Sequence, residues 1–417
     1  MSDTVRFVHT ADLHLDAPFQ GIEASDERVR RELVEATYAA FERIVDIAID
    51  RAADFVLIAG DVYNSRDKSL RAQLRFQSAA ERLAKASIDV YVAQGNHDPA
   101  NGWSAGLELP ESVRYFPVDR VGRFEIVRDG ELRCTVYGRG YGVRAVTENL
   151  ARTFRRDASD PLAIGVLHAN VGGNTDYEPY APCSLEDLRD AGMDYWALGH
   201  IHKPGQLATS PEIVYAGSPQ GLNPKEDGPH GCYLVELSAN GVQSEFVDVA
   251  SVVWHRVELD LSSCSDVGST RQRVIEACER LSAEAGRPAV VRVDLVGRCA
   301  AHNDLARPGS LEDLLEDVRA EQLAEEPWLW VDRIRNLTGA PIDVDRIREG
   351  ADFAADLVRT ADSLVADPDE TTALLGALVS PVATTLGGYE PADDPAALIE
   401  RARDVCLDLL LAEEDER

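Results

Sequence analysis

A chain of 417 residues, 45% hydrophobic and 28% charged, has the composition of a soluble globular protein with room for two or three domains. No apolar run approaches the ~18 residues of a membrane span, and the strand-like run that begins at Val5 leaves no room for a signal peptide, so a cytoplasmic protein is expected. The net charge of −31 repels polyanions and gives no support to nucleic-acid binding.

In chain order, Val5–Thr10 reads as a short apolar strand, and residues 28–53 as a helix with Leu33, Tyr38, Phe41, Ile44 and Ile47 on one face. Phe55–Ala59 is a buried-type strand, Ser69–Lys85 a helix and Val90–Ala93 a strand. Residues 124–137 alternate like antiparallel strands. Ala163–Leu167, Tyr195–Leu198 and Val214–Tyr215 add further extended runs. Short apolar runs separated by amphipathic helices predict a mixed α/β sheet system covered on both faces, over residues 1–250.

Residues 251–300 read as strand, helix, strand, a small α+β unit of their own. Residues 303–310 read as a linker, with Arg307-Pro308-Gly309 as its turn signal, and residues 301–417 are otherwise expected to be helical and acidic, with 28 acidic against 10 basic side chains. The clearest helices there are 353–364 and 396–411, the second with Leu398, Ile399, Val405, Leu407, Leu410 and Leu411 to bury. Arginine outnumbers lysine 38 to four. A salt-rich cytoplasm that screens repulsion and plain compositional bias both account for the acidity. Seven cysteines stand singly without CxxC spacing, which reads as free thiols and not a disulfide or zinc framework.

The informative residues follow the strands. Asp12-Leu13-His14 comes after the first, Gly60-Asp61 after the second and Gly95-Asn96-His97-Asp98 after the third; His168 ends the fourth, and Gly199-His200-Ile201-His202 follows the fifth. Active sites of layered α/β folds collect at the carboxyl ends of strands. Carboxylate, imidazole and amide oxygen suit a pair of hard or borderline divalent cations such as Mn²⁺ or Fe²⁺, and no thiolate is included. Alternation in extended backbone is expected to aim Asp12 and His14 the same way, and likewise His200 with His202. Any one piece has a dull alternative: GNHD as a turn, His168 as a hydrogen-bonded structural histidine. Five of the nine histidines in this order argue jointly for a dinuclear site.

The ordered set D-x-H, G-D, G-N-H-D, H and G-H-x-H resembles the calcineurin-like metallophosphoesterase superfamily. The resemblance implies a four-layer α/β/β/α sandwich with a small α+β capping domain and a helical C-terminal region. It implies that Asp12, His14 and His202 hold one metal, that Asp61 bridges, and that Asn96, His168 and His200 hold the second. His97 would face the substrate phosphate and protonate the leaving oxygen, with Asp98 orienting His97 and raising its pKa. Thr10 to Asp16, Gly60 to Tyr63 and Tyr215 to Pro219 resemble the SbcD type of bacterial DNA-repair nuclease; Gly95 to Pro99 with Gly102-Trp103, and Arg71 to Phe76, resemble the YhaO type. The likeness is specific over about residues 4–300 and loose beyond. It implies two metal ions, Mn²⁺ first with Fe²⁺ or Mg²⁺ as alternatives, DNA as substrate, an SMC/ABC-type coiled-coil ATPase as partner, and a homodimer.

Lys68, Arg71, Arg75 and Arg82 share one face of the 69–85 helix, open to three readings: contact with DNA phosphates, a solvated face, or the helix packing of a dimer. His230 reads as a substrate-loop or plain loop residue; His9, His255 and His302 read as structural. A DNA nuclease is the leading expectation. A phosphodiesterase or phosphatase for small nucleotides is the alternative, against which the 200 residues after His202 argue. A non-catalytic scaffold would have lost a ligand or His97, and none is lost.

Overall fold

Each apolar run is short, largely apolar or β-branched and closed by glycine or a turn, and each becomes a strand. The computed structural model describes residues 4–22, 24–64, 69–385 and 394–415. Its elements begin β1 (Val5–Thr10), α1 (Glu27–Asp50), β2 (Phe55–Ala59), α2 (Leu70–Lys85), β3 (Asp89–Ala93), β4 (Val113–Tyr115), β5 (Gly122–Arg128) and β6 (Glu131–Arg139). Next come β7 (Ala163–His168), α3 (Leu185–Asp190), β8 (Tyr195–Gly199), β9 (Gly205–Thr209), β10 (Glu212–Tyr215), β11 (Gly231–Ser238) and β12 (Gly241–Asp248). The remainder holds β13 (Val253–Asp260), α4 (Val267–Ala285), β14 (Ala289–Val296), α5 (His302–Leu305), α6 (Ser310–Gln322), β15 (Leu329–Asn336), α7 (Val344–Arg348), α8 (Phe353–Ala366), α9 (Pro368–Thr385) and α10 (Pro395–Asp415).

Two six-stranded sheets organise the first 250 residues, in the orders β12-β11-β1-β2-β3-β4 and β5-β6-β7-β8-β10-β9. Strands β1 to β4 run parallel, as do β6, β7, β8 and β10, with antiparallel strands at the edges. Between the sheets lies a core of Phe7, Phe55, Leu57 and Tyr91 from one and Val136, Ile164, Val166 and Tyr195 from the other. Phe7 and Phe55 stack at 5.1 Å, and Tyr195 meets Phe7 edge-on. Each such buried aromatic is worth roughly 1.5–3 kcal/mol of transfer free energy. On the outer face of the first sheet, Phe41, Ile44 and Val45 of α1 and Phe76 and Leu83 of α2 cover Val56, Ile58 and Val90. Leu188 of α3 and the fully buried Trp196 belong to the core outside the second sheet. The layers are therefore helix, sheet, sheet, helix. Caps fix where the covering helices begin: Asp26 accepts from the Val29 N–H and Ser69 from the Ala72 N–H.

A third sheet has the order β13-β14-β15. The chain forms two compact units, one of Met1–Val257, Glu276–Arg292 and Asp317–Arg333, the other of Glu258–Ile275, Val293–Glu316 and Ile334–Arg417. Helices α7 to α10 all fall in the second. Strand β15 corrects the purely helical reading of residues 301–417. Its Leu329, Trp330 and Val331 form an apolar run too short for a helix, and all three are buried. Within the second unit, Arg298 fastens α10 by donating to Asp408 and to the Asp404 carbonyl. All seven cysteines are free thiols. No helix among the described residues is long and apolar enough to cross a membrane.

Candidate metal centre

Parallel strands β1, β2 and β3 of one sheet, and β7 and β8 of the other, end at one rim. Past the rim the backbone leaves the extended region: φ is 50° at Asp12, 42° at His14, 53° at Asp61 and 99° at His200. Left-handed backbone at non-glycine residues costs roughly 1–3 kcal/mol each and concentrates at functional sites. Strand-like alternation thus does not aim Asp12 and His14, nor His200 with His202, as expected; backbone bonds between neighbouring turns do. The Asp12 N–H donates to the Gly60 carbonyl and the His14 N–H to the Asp61 carbonyl, both at 3.0 Å.

Glycine is required where the turns meet. A Cβ on Gly60, whose φ is +105°, would lie 2.1 Å from His168 Nδ1, and one on Gly95 would lie 2.2 Å from Asp61 Oδ1. Gly60→Ala is expected to destabilise the metal-free protein by about 2–4 kcal/mol through backbone strain and a displaced His168. Thermal denaturation of the purified variant measures it, and an unchanged midpoint would contradict the packing described.

The side chains converge. Three groups have ligand atoms within 4.8 Å of one another: Asp12 with His14 and His202, His14 with Asp61 and His97, and Asp12 with Asp61 and His168. His168 Nδ1 donates to the Ala59 carbonyl at 2.9 Å, which leaves the Nε2 lone pair of the neutral ring facing Asn96 Oδ1 at 2.9 Å and Asp61 Oδ2 at 3.4 Å. Acceptors that face acceptors in a buried site need a proton or a cation between them. The Nε2 atoms of His14 and His202 likewise meet at 3.2 Å, and His14 Nδ1 is buried without a partner among the described residues. His200 Nε2 donates to the Glu178 carbonyl at 2.7 Å, so Nδ1 of the neutral ring keeps its lone pair. This donor set fits divalent cations.

Protonation in the protein itself reflects the same crowding. Burial opposes charge on His168, but Asp61 and Asp12 outweigh it and hold its pKa up to about 9. Burial pushes Asp61 up, yet His168, His14 and His97 override it and keep the carboxyl well below its usual range. Asp12 is raised, chiefly by burial, against His168 and His202. Burial and the nearby His202 lower His14 to about 3; burial and His168 lower His200 to about 4.

His97 lies in the loop after β3, half-buried, with its backbone N–H donating to Asp61 Oδ1 at 2.8 Å and its ring edge-on to His14. Its Nδ1 is 2.7 Å from the Asn64 carbonyl. This carbonyl is a contact that orients the ring. The oxygens of Asp98 accept from the Gly95 and Val62 N–H groups at 2.9 and 3.0 Å and so brace the loops after β2 and β3 against each other.

The arginine face of α2 is engaged by acidic side chains of α1. Arg71 and Arg75 pair with Glu35 and lie over the Tyr38 ring, and Arg82 pairs with Glu42 and Asp46, all on α1. Their charge is offset within the chain. Lys68 lies outside the described residues. His9 is buried between the Tyr195 hydroxyl and the Leu198 carbonyl, and burial lowers its pKa to about 3. His302 meets Thr338, and His230 lies against the Ser218 and Glu226 carbonyls.

Sequence reasoning passed over several residues around the centre. Tyr141 donates to the His168 carbonyl and Tyr215 to the Ala169 carbonyl. The Tyr177 hydroxyl accepts from the His202 N–H, and its ring stands edge-on to His200 and His202. Glu226 Oε1 lies 2.8 Å from His202 Nδ1. Glu226 follows His202 by 24 residues in a loop between strands, and no local motif marks it.

The fold and site together are those of a phosphoesterase scaffold. Residues 5–204 match the calcineurin-like phosphoesterase family, and residues 254–339 match the middle domain of metallophosphoesterase YhaO. Over 339 residues the chain is 35% identical to the uncharacterized metallophosphoesterase YhaO of Bacillus subtilis, across 81% of this chain and 83% of that protein. The chain belongs to the calcineurin-like metallophosphoesterases of the YhaO type, enzymes of metal-dependent phosphoester hydrolysis. It is also 28% identical to the DNA double-strand break repair protein Mre11 of Haloferax volcanii, over 65% of this chain and 58% of that one. The protein of the same name from Aeropyrum pernix is 28% identical over 67% and 68%. Among solved structures, a dimetal phosphatase from Danio rerio aligns with a TM-score of 0.35 and 12% identity over 59% of this chain and 99% of that one.

Proposed function

We propose that the protein is a DNA-repair nuclease that hydrolyses phosphodiester bonds with two divalent cations, Mn²⁺ first among them. The observation that carries the reading is the convergence of Asp12, His14, Asp61, His168 and His202 at the rim, with half-exposed His97 beside them. The likeness to two DNA double-strand break repair proteins supports DNA as the substrate. Asp12, His14 and His202 would hold one ion and Asn96, His168 and His200 the other, with Asp61 shared between them. The ions supply Lewis acidity toward the phosphate ester. Asp98 fixes the loop that carries His97. The Asn64 carbonyl accepts from Nδ1 and turns the ring so that Nε2 of the imidazolium would give its proton to the leaving 3′ or 5′ oxygen, leaving the neutral ring protonated on Nδ1. The sequence resemblance to the SbcD type supports a coiled-coil ATPase as partner and a homodimer as the assembly.

The test is cleavage of end-labelled single- and double-stranded DNA by the purified protein with Mn²⁺, beside bis-p-nitrophenyl phosphate. Metal-dependent shortening of DNA is expected. Turnover of the small ester with every DNA form left intact, even with the ATPase added, would reject DNA and favour a small nucleotide as substrate.

A further inference from the structure

We infer that Glu226 is a positioning residue that selects the tautomer of His202 able to bind metal. The inference rests on the proposed reading of His202 as a ligand. His202 turns Nε2 toward His14 and the Asp12 group, and turns Nδ1 toward Glu226 Oε1 at 2.8 Å. An ionised carboxylate only accepts, so the contact requires the proton on Nδ1 and leaves the lone pair on Nε2, where a cation is held. The other carboxylate oxygen is also committed: Glu226 Oε2 accepts from the Leu222 N–H at 2.7 Å. The loop is held by further contacts. The Glu226 N–H donates to the Asn223 carbonyl at 3.0 Å, and its own carbonyl oxygen lies 3.1 Å from His230 Nε2. His230 is buried and reaches the Ser218 carbonyl at 2.8 Å, so the loop holds its place without the charge on Glu226.

Glutamine at this position separates charge from shape. Its single acceptor oxygen satisfies either the Leu222 N–H or His202 Nδ1, but not both. With the oxygen on Leu222, the amide NH₂ faces Nδ1 and enforces the opposite tautomer, with the proton on Nε2, where it blocks the metal. A role confined to bracing the loop would survive this exchange, because in that orientation the Leu222, Asn223 and His230 contacts remain.

The experiment is calorimetric titration of the metal-free full chain with Mn²⁺ for wild type, Glu226→Gln, Glu226→Asp and His202→Ala. Glu226→Gln is expected to weaken one of the two sites by about 10- to 100-fold, the usual effect of losing a carboxylate behind a histidine ligand. Glu226→Asp recovers part of that loss. The thermal midpoint of metal-free Glu226→Gln stays near wild type, and excess Mn²⁺ restores its turnover. Unchanged affinity in Glu226→Gln, together with a weakened site in His202→Ala, would overturn this inference alone. Wild-type affinity in His202→Ala would overturn the reading of the centre as well.

Discussion

His97→Ala loses about 10²–10⁴ in turnover of DNA while it still binds two Mn²⁺. His97 sits half-exposed at the rim, where a substrate oxygen can reach it, and the Asn64 carbonyl at 2.7 Å fixes the ring through Nδ1. Its nearness to His14 and Asp61 also makes it a geometric candidate for a third ligand, and the two roles predict different outcomes. An acid is needed most where the leaving group is poor. The loss should therefore be severe on DNA, whose leaving alkoxide needs a proton, and mild on a p-nitrophenyl ester. Steady-state rates on both substrates, with metal content by mass spectrometry, decide it. Loss of an ion in His97→Ala would make the residue a ligand.

Asp61→Asn is the more damaging change, expected to lower turnover on any phosphodiester by on the order of 10³-fold or more. Asp61 lies at the centre of the side-chain network: Oδ1 takes the His97 N–H at 2.8 Å, and Oδ2 lies 3.4 Å from His168 Nε2 and 3.9 Å from His14 Nε2. Asparagine keeps the volume but gives up the charge and replaces one acceptor with a donor aimed at imidazole lone pairs. Both cations should weaken together, because the residue is placed between the two ligand groups. A variant that loses only one ion would place Asp61 on a single site and remove the bridge.

Much of this was legible in the sequence because the residues proposed as ligands sit directly after strands. A short run such as Phe55–Ala59 announces itself by its apolar, β-branched character, and Gly60-Asp61 marks its end. The rest was hidden for physical reasons. The hairpin of β11 and β12 passed unnoticed, since Glu236, Gln243 and Glu245 interrupt its apolar positions, yet it pairs with β1 and supports the first ligand turn. Strand β15 lies in an acidic stretch whose composition favours helix. The left-handed backbone of Asp12, His14 and Asp61 carries no sequence mark, because aspartate and histidine adopt it only when the fold compensates the strain. Nor does spacing reveal Asn64 or Glu226, which reach the centre through a backbone carbonyl and a distant loop. The three readings of the α2 arginines could not be narrowed from the sequence because Glu35, Glu42 and Asp46, which pair with them, lie 36 to 40 residues earlier.

The most direct measurement is the number of Mn²⁺ ions bound per chain of the purified, metal-stripped protein, followed alongside hydrolysis of bis-p-nitrophenyl phosphate as the ions are added. Two ions per chain are expected, with hydrolysis appearing only as the second site fills and disappearing with chelator. Full turnover with one ion or none, or hydrolysis indifferent to chelator, would contradict a dinuclear centre at these strand ends.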